Sequence, residues 1–226
     1  MSYSHQFLEN APLDLPVGKV VCVGRNYADH IAELNNAIPD EPLLFIKPNT
    51  ACVDMCSPVG IPTSSTCHNE LEVALLITQP LISGQLYSDT ELLDAVGGLG
   101  LGLDLTLRDK QSELKSKGHP WERAKSFDAS CPLSPFVRFN VDTDLQDLHF
   151  ELKVNDNVRQ SGHTANMMHP CFALIREILS CFSLLPGDVV MTGTPKGVGP
   201  LLVGDKLAAR LCYQQNELLN IKTQVE

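Results

Sequence analysis

The sequence predicts an α+β fold in which β-structure dominates. Short apolar runs alternate with clusters of turn residues, and several of these runs have the period of two that is typical of strands. Few strand–helix–strand units recur, which disfavours a doubly wound parallel sheet. The chain has 226 residues, and neither a linker nor an internal repeat divides it. We therefore expect one catalytic domain over residues 1–226, with a short lead-in over residues 1–18.

In the first half of the chain, the run KVVCV (residues 19–23) ends at a glycine and predicts a strand. Residues 26–34 predict a helix, because Tyr27, Ile31 and Leu34 recur at helical spacing and Asn26 is an acceptable N-cap. The apolar run LLFIK (residues 43–47) predicts a strand that a proline ends, and ELEVALLIT (residues 70–78) predicts a longer one.

In the second half, residues 91–96 predict a short helix, and the alternation of leucine with smaller residues over 99–107 predicts a strand. Residues 147–155 alternate and lead into Asn155-Asp156-Asn157, which predicts a hairpin. The clearest helical pattern covers residues 171–185, before Pro186-Gly187. Residues 188–192 and 206–213 predict the last strands.

The charge balance limits the classes of partner. There are 17 Lys and Arg residues against 27 Asp and Glu, so the formal net charge is −10. A broad basic surface for nucleic acid is therefore not expected. An anionic small-molecule substrate would need a local positive centre, from a metal ion or from a few placed cations. No apolar run approaches the ~20 residues of a membrane span, so we expect no membrane partner.

The eight cysteines form no C-x-x-C pair and no zinc-type spacing with histidine. Several lie in apolar runs, and the first residues have neither the basic region nor the apolar stretch of a signal peptide. We expect buried free thiols in a reducing compartment and a cytoplasmic protein.

Three carboxylates are candidate ligands for a metal ion. On a strand, His68, Glu70 and Glu72 would project from one face, and a hard divalent cation would relieve the repulsion between the two glutamates. An ordinary solvated strand face is the alternative. Asp104 lies in an apolar, glycine-rich strand, where a charge needs a partner. That partner is either a metal shared with the glutamates or backbone hydrogen-bond donors at a strand end; three carboxylates suit Mg²⁺ better than Zn²⁺.

Other polar groups have weaker patterns. His30 and Glu33 are one helical turn apart, which fits either a general base with its orienting carboxylate or an exposed helix pair. The glycine-rich segment 193–199 is not a phosphate-binding loop. It is either a structural turn or a turn whose hydroxyl and N–H groups bind a carboxylate. Scattered cations complete the candidates, which are Lys47, Arg108 and Lys125.

Taken together, the chain resembles the fumarylacetoacetate hydrolase superfamily from about residue 19 to 210. The resemblance is carried by the segments VCVGRNYADHIAE, PLLFIKP, CHNELEVALLI, GLGLDLTLRDKQ, GHPWERAKSFD, CPLSPF, VNDNVRQSGHTANMMH and PGDVVMTGTPKGVGP. It is closest to the small single-domain acylpyruvate hydrolases and oxaloacetate decarboxylases. The resemblance implies a mixed β-sandwich roll and, usually, a homodimer.

The resemblance also assigns roles by position. It implies that Mg²⁺, or Mn²⁺ or Ca²⁺ in its place, binds to Glu70, Glu72 and Asp104. It implies catalytic roles for His30 and Glu33 on a lid and for Lys125. The positions that it implies for substrate binding are Lys47, Arg108, Gln111 and Thr194.

The implied reaction is Mg²⁺-dependent cleavage of the C–C bond of an acylpyruvate such as acetylpyruvate or fumarylpyruvate, in which His30 activates a water molecule. Decarboxylation or keto–enol tautomerisation of oxaloacetate at the same site is the alternative, since neither needs an attacking water. A further alternative is isomerisation or decarboxylation of longer dienol dioates. The segment 114–121 and the lid around His30 are where substrate length would be set.

Overall fold

The computed structural model describes residues 3–8, 13–33, 41–63 and 65–226, and within them β-structure dominates, as predicted. The strands are β1 (Val20–Gly24), β2 (Leu43–Lys47), β3 (Cys52–Asp54), β4 (Cys67–Asn69), β5 (Leu71–Ile77), β6 (Val96–Leu103), β7 (Thr106–Leu107), β8 (Cys131–Leu133), β9 (Leu148–Val154), β10 (Asn157–His163), β11 (Val189–Met191), β12 (Gly199–Pro200), β13 (Lys206–Tyr213) and β14 (Asn216–Gln224). The α-helices are α1 (Ala28–Glu33), α2 (Asp89–Ala95), α3 (Arg108–Ser116), α4 (Glu122–Lys125) and α5 (Cys171–Cys181).

The described strands form three sheets. The largest has the order β2-β1-β11-β5-β6-β8-β3 and is mixed, because β1–β11 and β3–β8 are parallel pairs whereas its other neighbours are antiparallel. A four-stranded antiparallel sheet has the order β10-β9-β13-β14, and a small sheet has the order β12-β4-β7. This architecture confirms the predicted α+β class with mixed, curled sheets.

The strand predicted over 99–107 is broken at Asp104, and the strand predicted over 70–78 begins only at Leu71, so that Glu70 lies just before it. Leu71 of β5 pairs with Leu103 of β6 in the large sheet. Beyond that pair, the backbone on either side leads into β4 and β7, which pair in the small sheet. Glu70 and Asp104 occupy the bend, where the Asp104 N–H donates to the Glu70 carbonyl over 2.8 Å. The change of sheet therefore places two acidic residues side by side.

Both faces of the large sheet are buried, which explains the alternation in β6. Its leucines enter a core shared with the four-stranded sheet, and its glycines face a second core. On that side, a Cβ at Gly100 would lie 2.8 Å from a ring carbon of Phe136. Leucine fills one face, and the missing side chains admit the packed ring on the other.

The helices differ from the predicted ranges. Helix α1 begins at Ala28, because Asn26 does not cap it: the Asn26 side chain donates to the carbonyls of Thr192 and His169. The predicted last helical residue, Leu34, lies outside the described residues. Helix α5 ends at Cys181 rather than at residue 185, since Leu184 leaves to form a two-way backbone bridge with Leu81.

The hairpin prediction is confirmed. Asn155 and Asp156 both have positive φ, 51° and 65°, and join β9 to β10 as a two-residue turn. All eight cysteines are free, as expected, but Cys56 and Cys181 are exposed rather than buried. Within the described residues, no helix is both long and apolar enough to cross a membrane.

Candidate active site

Three buried carboxylates form the centre of the site. Glu70 and Asp104 come from the bend between the two sheets, and Glu72 lies two residues into β5. Their side chains bring one oxygen each to within 4.8 Å of the others, and the residues are 4%, 1% and 1% exposed. The predicted convergence of these three residues is therefore present, and their burial excludes the alternative of a solvated strand face.

Cations surround the carboxylates. Lys125 Nζ donates to Glu70 Oε2 over 2.8 Å and also to Asp104 Oδ2. The Arg108 guanidinium donates to Glu70 Oε1, and Lys47 Nζ lies 2.9 Å from Asp104 Oδ1. Such pairing offsets part of the cost of burying charge.

The surroundings shift the pKa values of two of these carboxyl groups in opposite directions. Burial raises the pKa of Glu72 well above its ordinary value, and the neighbouring charges of Asp104 and Glu70 raise it further. Burial also acts to raise the pKa of Glu70, but Lys125 and Arg108 outweigh it and hold that pKa well below its usual range. Glu72 is therefore the carboxylate that most needs an added positive charge.

The donor set fits a hard divalent cation. All three groups offer oxygen, the ligand type that Mg²⁺ and Mn²⁺ prefer. Asp104 Oδ1 is buried without a hydrogen-bond partner, because its contact with Lys47 lacks hydrogen-bond geometry. Glu72 is oriented from behind by the Gly193 N–H, which donates to Oε2 over 2.6 Å.

His30 and Glu33 lie together on α1. His30 Nδ1 is 3.5 Å from Glu33 Oε2, close enough for an ion pair but too long for a strong hydrogen bond. Glu33 instead accepts from the Gly197 N–H over 3.0 Å. Burial lowers the pKa of His30, with Glu70 acting in the opposite direction. A lowered pKa leaves this imidazole neutral near pH 7, as a general base requires.

The remaining predicted substrate-binding residues are held by specific contacts. Arg108 donates to Gln111 Oε1 over 2.7 Å, three residues along α3. The Thr194 hydroxyl donates to the Leu71 carbonyl and accepts from Gln160 Nε2 over 2.7 Å. Gln160 was not singled out in the sequence, and it positions Thr194 while its amide oxygen accepts from the backbone of Leu71.

A small cavity of about 30 Å³ opens onto the carboxylates. It is lined by Val23, Gly24, Arg25, His30, Phe45, Glu70, Glu72, Arg108, Gln111, Lys115, Trp121, Lys125 and Thr194. Lys47 is fully buried outside this lining and donates to the Lys125 carbonyl and to Ser130. A direct contact between Lys47 and the substrate stays a prediction.

Six lining residues were not predicted individually: Val23, Gly24, Arg25, Phe45, Lys115 and Trp121. Trp121 and Lys115 fall in the segment 114–121 that was expected to set substrate length. Arg25 has a φ of 62°, which no sequence pattern revealed. The lining thus contains four cations and two carboxylates, a local positive excess in a chain of net charge −10.

Sequence comparisons agree with this geometry. The family model for the fumarylacetoacetate (FAA) hydrolase C-terminal domain matches residues 19–225. The chain is 48% identical to the oxaloacetate tautomerase YcgM of Escherichia coli, over 91% of this chain and 93% of that protein. It is 42% identical to the mitochondrial oxaloacetate tautomerase FAHD1 of Bos taurus, over 92% of this chain and 91% of that one.

Solved structures extend the likeness. A Yersinia pestis protein assigned to the fumarylacetoacetate hydrolase family superposes with a TM-score of 0.92 at 43% identity, covering 99% of this chain and 100% of that one. Fumarylpyruvate hydrolase from Pseudomonas aeruginosa, solved with Mn²⁺ and pyruvate, superposes with a TM-score of 0.85 at 28% identity, covering 100% and 97%.

Proposed function

Because the chain belongs to the fumarylacetoacetate hydrolase family, we propose that it is a metal-dependent oxaloacetate keto–enol tautomerase. The sequence alone favoured acylpyruvate hydrolysis and kept the oxaloacetate reactions as the alternative. The oxaloacetate tautomerases at 48% and 42% identity, each aligned over more than nine tenths of the chain, support the alternative better. Fumarylpyruvate hydrolase is a more distant neighbour at 28% identity.

The similarity to the oxaloacetate tautomerases is the observation that carries this choice. Phe45 and Trp121, whose ring centroids are 6.0 Å apart, form the aromatic part of the cavity lining. Oxaloacetate has four carbons, whereas fumarylpyruvate continues for three more beyond the carbonyl that water attacks.

The charge of the lining suits a dicarboxylate. Arg25, Arg108, Lys115 and Lys125 converge on one cavity, and they would attract a dianion against the negative charge of the whole protein. Thr194 and Gln111, each held by a side-chain hydrogen bond of 2.7 Å, would orient the carboxylates.

Tautomerisation moves one proton from C3 to the oxygen on C2. Neutral His30 would accept the proton from C3, and the imidazolium so formed would give a proton to the C2 oxygen, directly or through a water molecule. Burial alone would lower the pKa of Lys125, but the charges of Asp104 and Glu70 outweigh it and raise that pKa above its ordinary value. Lys125 therefore stays an ammonium that can hydrogen-bond the developing enolate oxygen.

Glu70, Glu72 and Asp104 would hold Mg²⁺ or Mn²⁺. The bound ion would polarise the 2-oxo group and so acidify the proton on C3. No attacking water enters this reaction, which distinguishes it from hydrolysis. A cytoplasmic location and a homodimer stay predictions.

The test starts from enol-oxaloacetate in the presence of Mg²⁺. We expect the enzyme to accelerate loss of the enol absorbance in the ultraviolet, and malate dehydrogenase to reduce an equivalent amount of the keto acid. Lactate dehydrogenase, added separately, should detect no pyruvate beyond the uncatalysed background. Rapid pyruvate formation would assign decarboxylation instead.

A parallel assay with acetylpyruvate tests hydrolysis, and EDTA tests the metal. Cleavage of acetylpyruvate faster than the tautomerisation would overturn the proposal in favour of the hydrolase. The variant Glu72→Gln should lose the Mg²⁺-dependent rate of tautomerisation, because it removes a charged ligand. Full activity in that variant would contradict the assignment of the metal site.

A further inference from the structure

We propose that Asp147, His149 and His163 form a second metal site, which binds a divalent transition-metal ion such as Zn²⁺. The three side chains bring one ligand atom each to within 4.8 Å of the others. None of them lines the cavity that contains Glu70 and Glu72. The inference is independent of the proposed function.

The hairpin that carries these residues fixes their positions. His149 on β9 and His163 at the end of β10 are direct partners in the antiparallel register, so their side chains leave the same face of the sheet. Asp147 lies in the turn just before β9, where its N–H donates to the Asp144 carbonyl over 3.0 Å. Ladder hydrogen bonds therefore fix the two histidines, and the adjoining turn brings Asp147 to them.

The atoms already converge. His163 Nε2 lies 3.0 Å from Asp147 Oδ1, and His149 Nε2 lies 3.9 Å from the same oxygen. The two imidazole rings are stacked, with centroids 3.9 Å apart and planes 14° from parallel. The ring stacking and the contacts with Asp147 therefore hold the three donors together at one place on the sheet.

The chemistry of the donors separates this site from the acidic one. Two imidazoles and one carboxylate form the ligand set of open zinc sites, in which water completes the coordination. Nitrogen donors favour Zn²⁺, Co²⁺ or Cu²⁺, whereas three carboxylates favour Mg²⁺ or Mn²⁺. The one chain would thus hold two sites that prefer different ions.

The surroundings permit an ion to enter and offer a further donor. The side chains of Asp147, His149 and His163 are 42%, 51% and 29% exposed, so no part of the fold has to open. Cys212 on β13 is the register partner of His149 on its other side, and it is a half-buried free thiol. His163 also borders a separate cavity of about 350 Å³ against Ala28 and Asp29 of α1.

The test uses untagged protein, because a polyhistidine tag would bind the same ions. Zn²⁺ is titrated calorimetrically with excess Mg²⁺ present. The double variant His149→Asn/His163→Asn should bind one equivalent fewer than the parent protein. Each single variant should weaken Zn²⁺ binding at this site by at least about tenfold. Loss of a group that only orients a metal ligand already lowers metal affinity by about that factor, and these variants remove a ligand itself.

The matched control is His119→Asn, which removes an exposed histidine outside the cluster and should keep every equivalent. Ring-proton signals of His149 and His163 in NMR spectra should shift on addition of Zn²⁺. Circular dichroism checks that the variants fold, which their exposure leads us to expect. Equal stoichiometry and affinity in the double variant, or unshifted ring signals, would overturn the proposal.

Discussion

His30 combines two properties that a base needs at neutral pH. It is buried, 5% exposed, and it borders the cavity of the candidate site. Desolvation lowers its pKa below the ordinary value of 6.5, even though the charge of Glu70 opposes the shift. The neutral imidazole therefore persists to lower pH than it would in a solvated histidine, and it is lost only when the pH falls through the lowered pKa.

We therefore expect the acidic limb of the pH–rate profile to lie below pH 6.5. The variant His30→Asn should lower kcat for enol-oxaloacetate by about 10²–10⁴-fold, the usual contribution of a general base, and should remove that limb. His149→Asn, at an exposed position outside the cavity lining, should leave the profile unchanged. An acidic limb that persists in His30→Asn would assign it to another group.

For single residues, the sequence predicted which side chains belong to the site better than it predicted which residues surround and position them. Glu70 and Glu72 could be singled out because two carboxylates on one strand face repel each other, and Asp104 because a carboxylate in an apolar strand needs a partner. Gln160 could not, because a glutamine in a strand has no distinctive pattern until the fold brings it to Thr194. Arg25 was equally hidden, since nothing in sequence indicates that its backbone turns into the left-handed region before α1.

The segment between β11 and β12 contacts helix α1, which carries His30, and so holds this helix against the rest of the site. Gly197 donates its N–H to Glu33 of α1, and Lys196 Nζ lies 3.1 Å from Asp29 Oδ2 on the same helix. The ion pair is exposed and contributes little. The position of α1 on this segment therefore depends chiefly on Glu33 and Gly197.

Gly197 is required there for two reasons. Its φ is +97°, and a Cβ would lie 1.9 Å from the Arg159 carbonyl oxygen. We expect Gly197→Ala to lower the free energy of unfolding by about 1–3 kcal/mol, as measured with urea, and to reduce turnover as Glu33 loses its partner. Gly204→Ala is the matched control, because Gly204 has a φ of +91° with open space around it. An equal loss of unfolding free energy in both variants would show that the contact with the Arg159 carbonyl does not contribute to the effect.

Among the elements, those with a clear apolar pattern were predictable. The strands over 43–47 and 206–213 have the predicted bounds. Helix α3 was missed because its inward side chains are polar: Arg108, Gln111 and Lys115 face a charged cavity, and Leu114 is its one buried hydrophobic residue. Hydrophobic periodicity cannot identify a helix whose inward face is mostly polar.

The fold gives the site a local charge distribution that differs from the net charge of the whole protein. The chain carries −10 overall, yet the sheet bend buries three carboxylates together and surrounds them with lysine and arginine. Without a metal ion, Glu72 destabilises the fold whenever it is ionised, because burial and two neighbouring carboxylates raise its pKa. An ion that binds only the folded state should therefore stabilise the whole domain.

We expect Mg²⁺ at about 100 times its Kd to add roughly 2.7 kcal/mol to the free energy of unfolding. For a domain of this size, that corresponds to a rise in Tm of roughly 5–10 °C. Glu72→Gln should abolish the rise, while its metal-free Tm equals or exceeds that of the parent, since a repelling carboxylate is gone. Glu151→Gln, on the outer face of β9, should keep the full rise. A full Mg²⁺-dependent rise in Glu72→Gln would place the ion elsewhere. A large fall in the metal-free Tm of this variant would mean that Glu72 stabilises the metal-free fold through its hydrogen bond with Gly193.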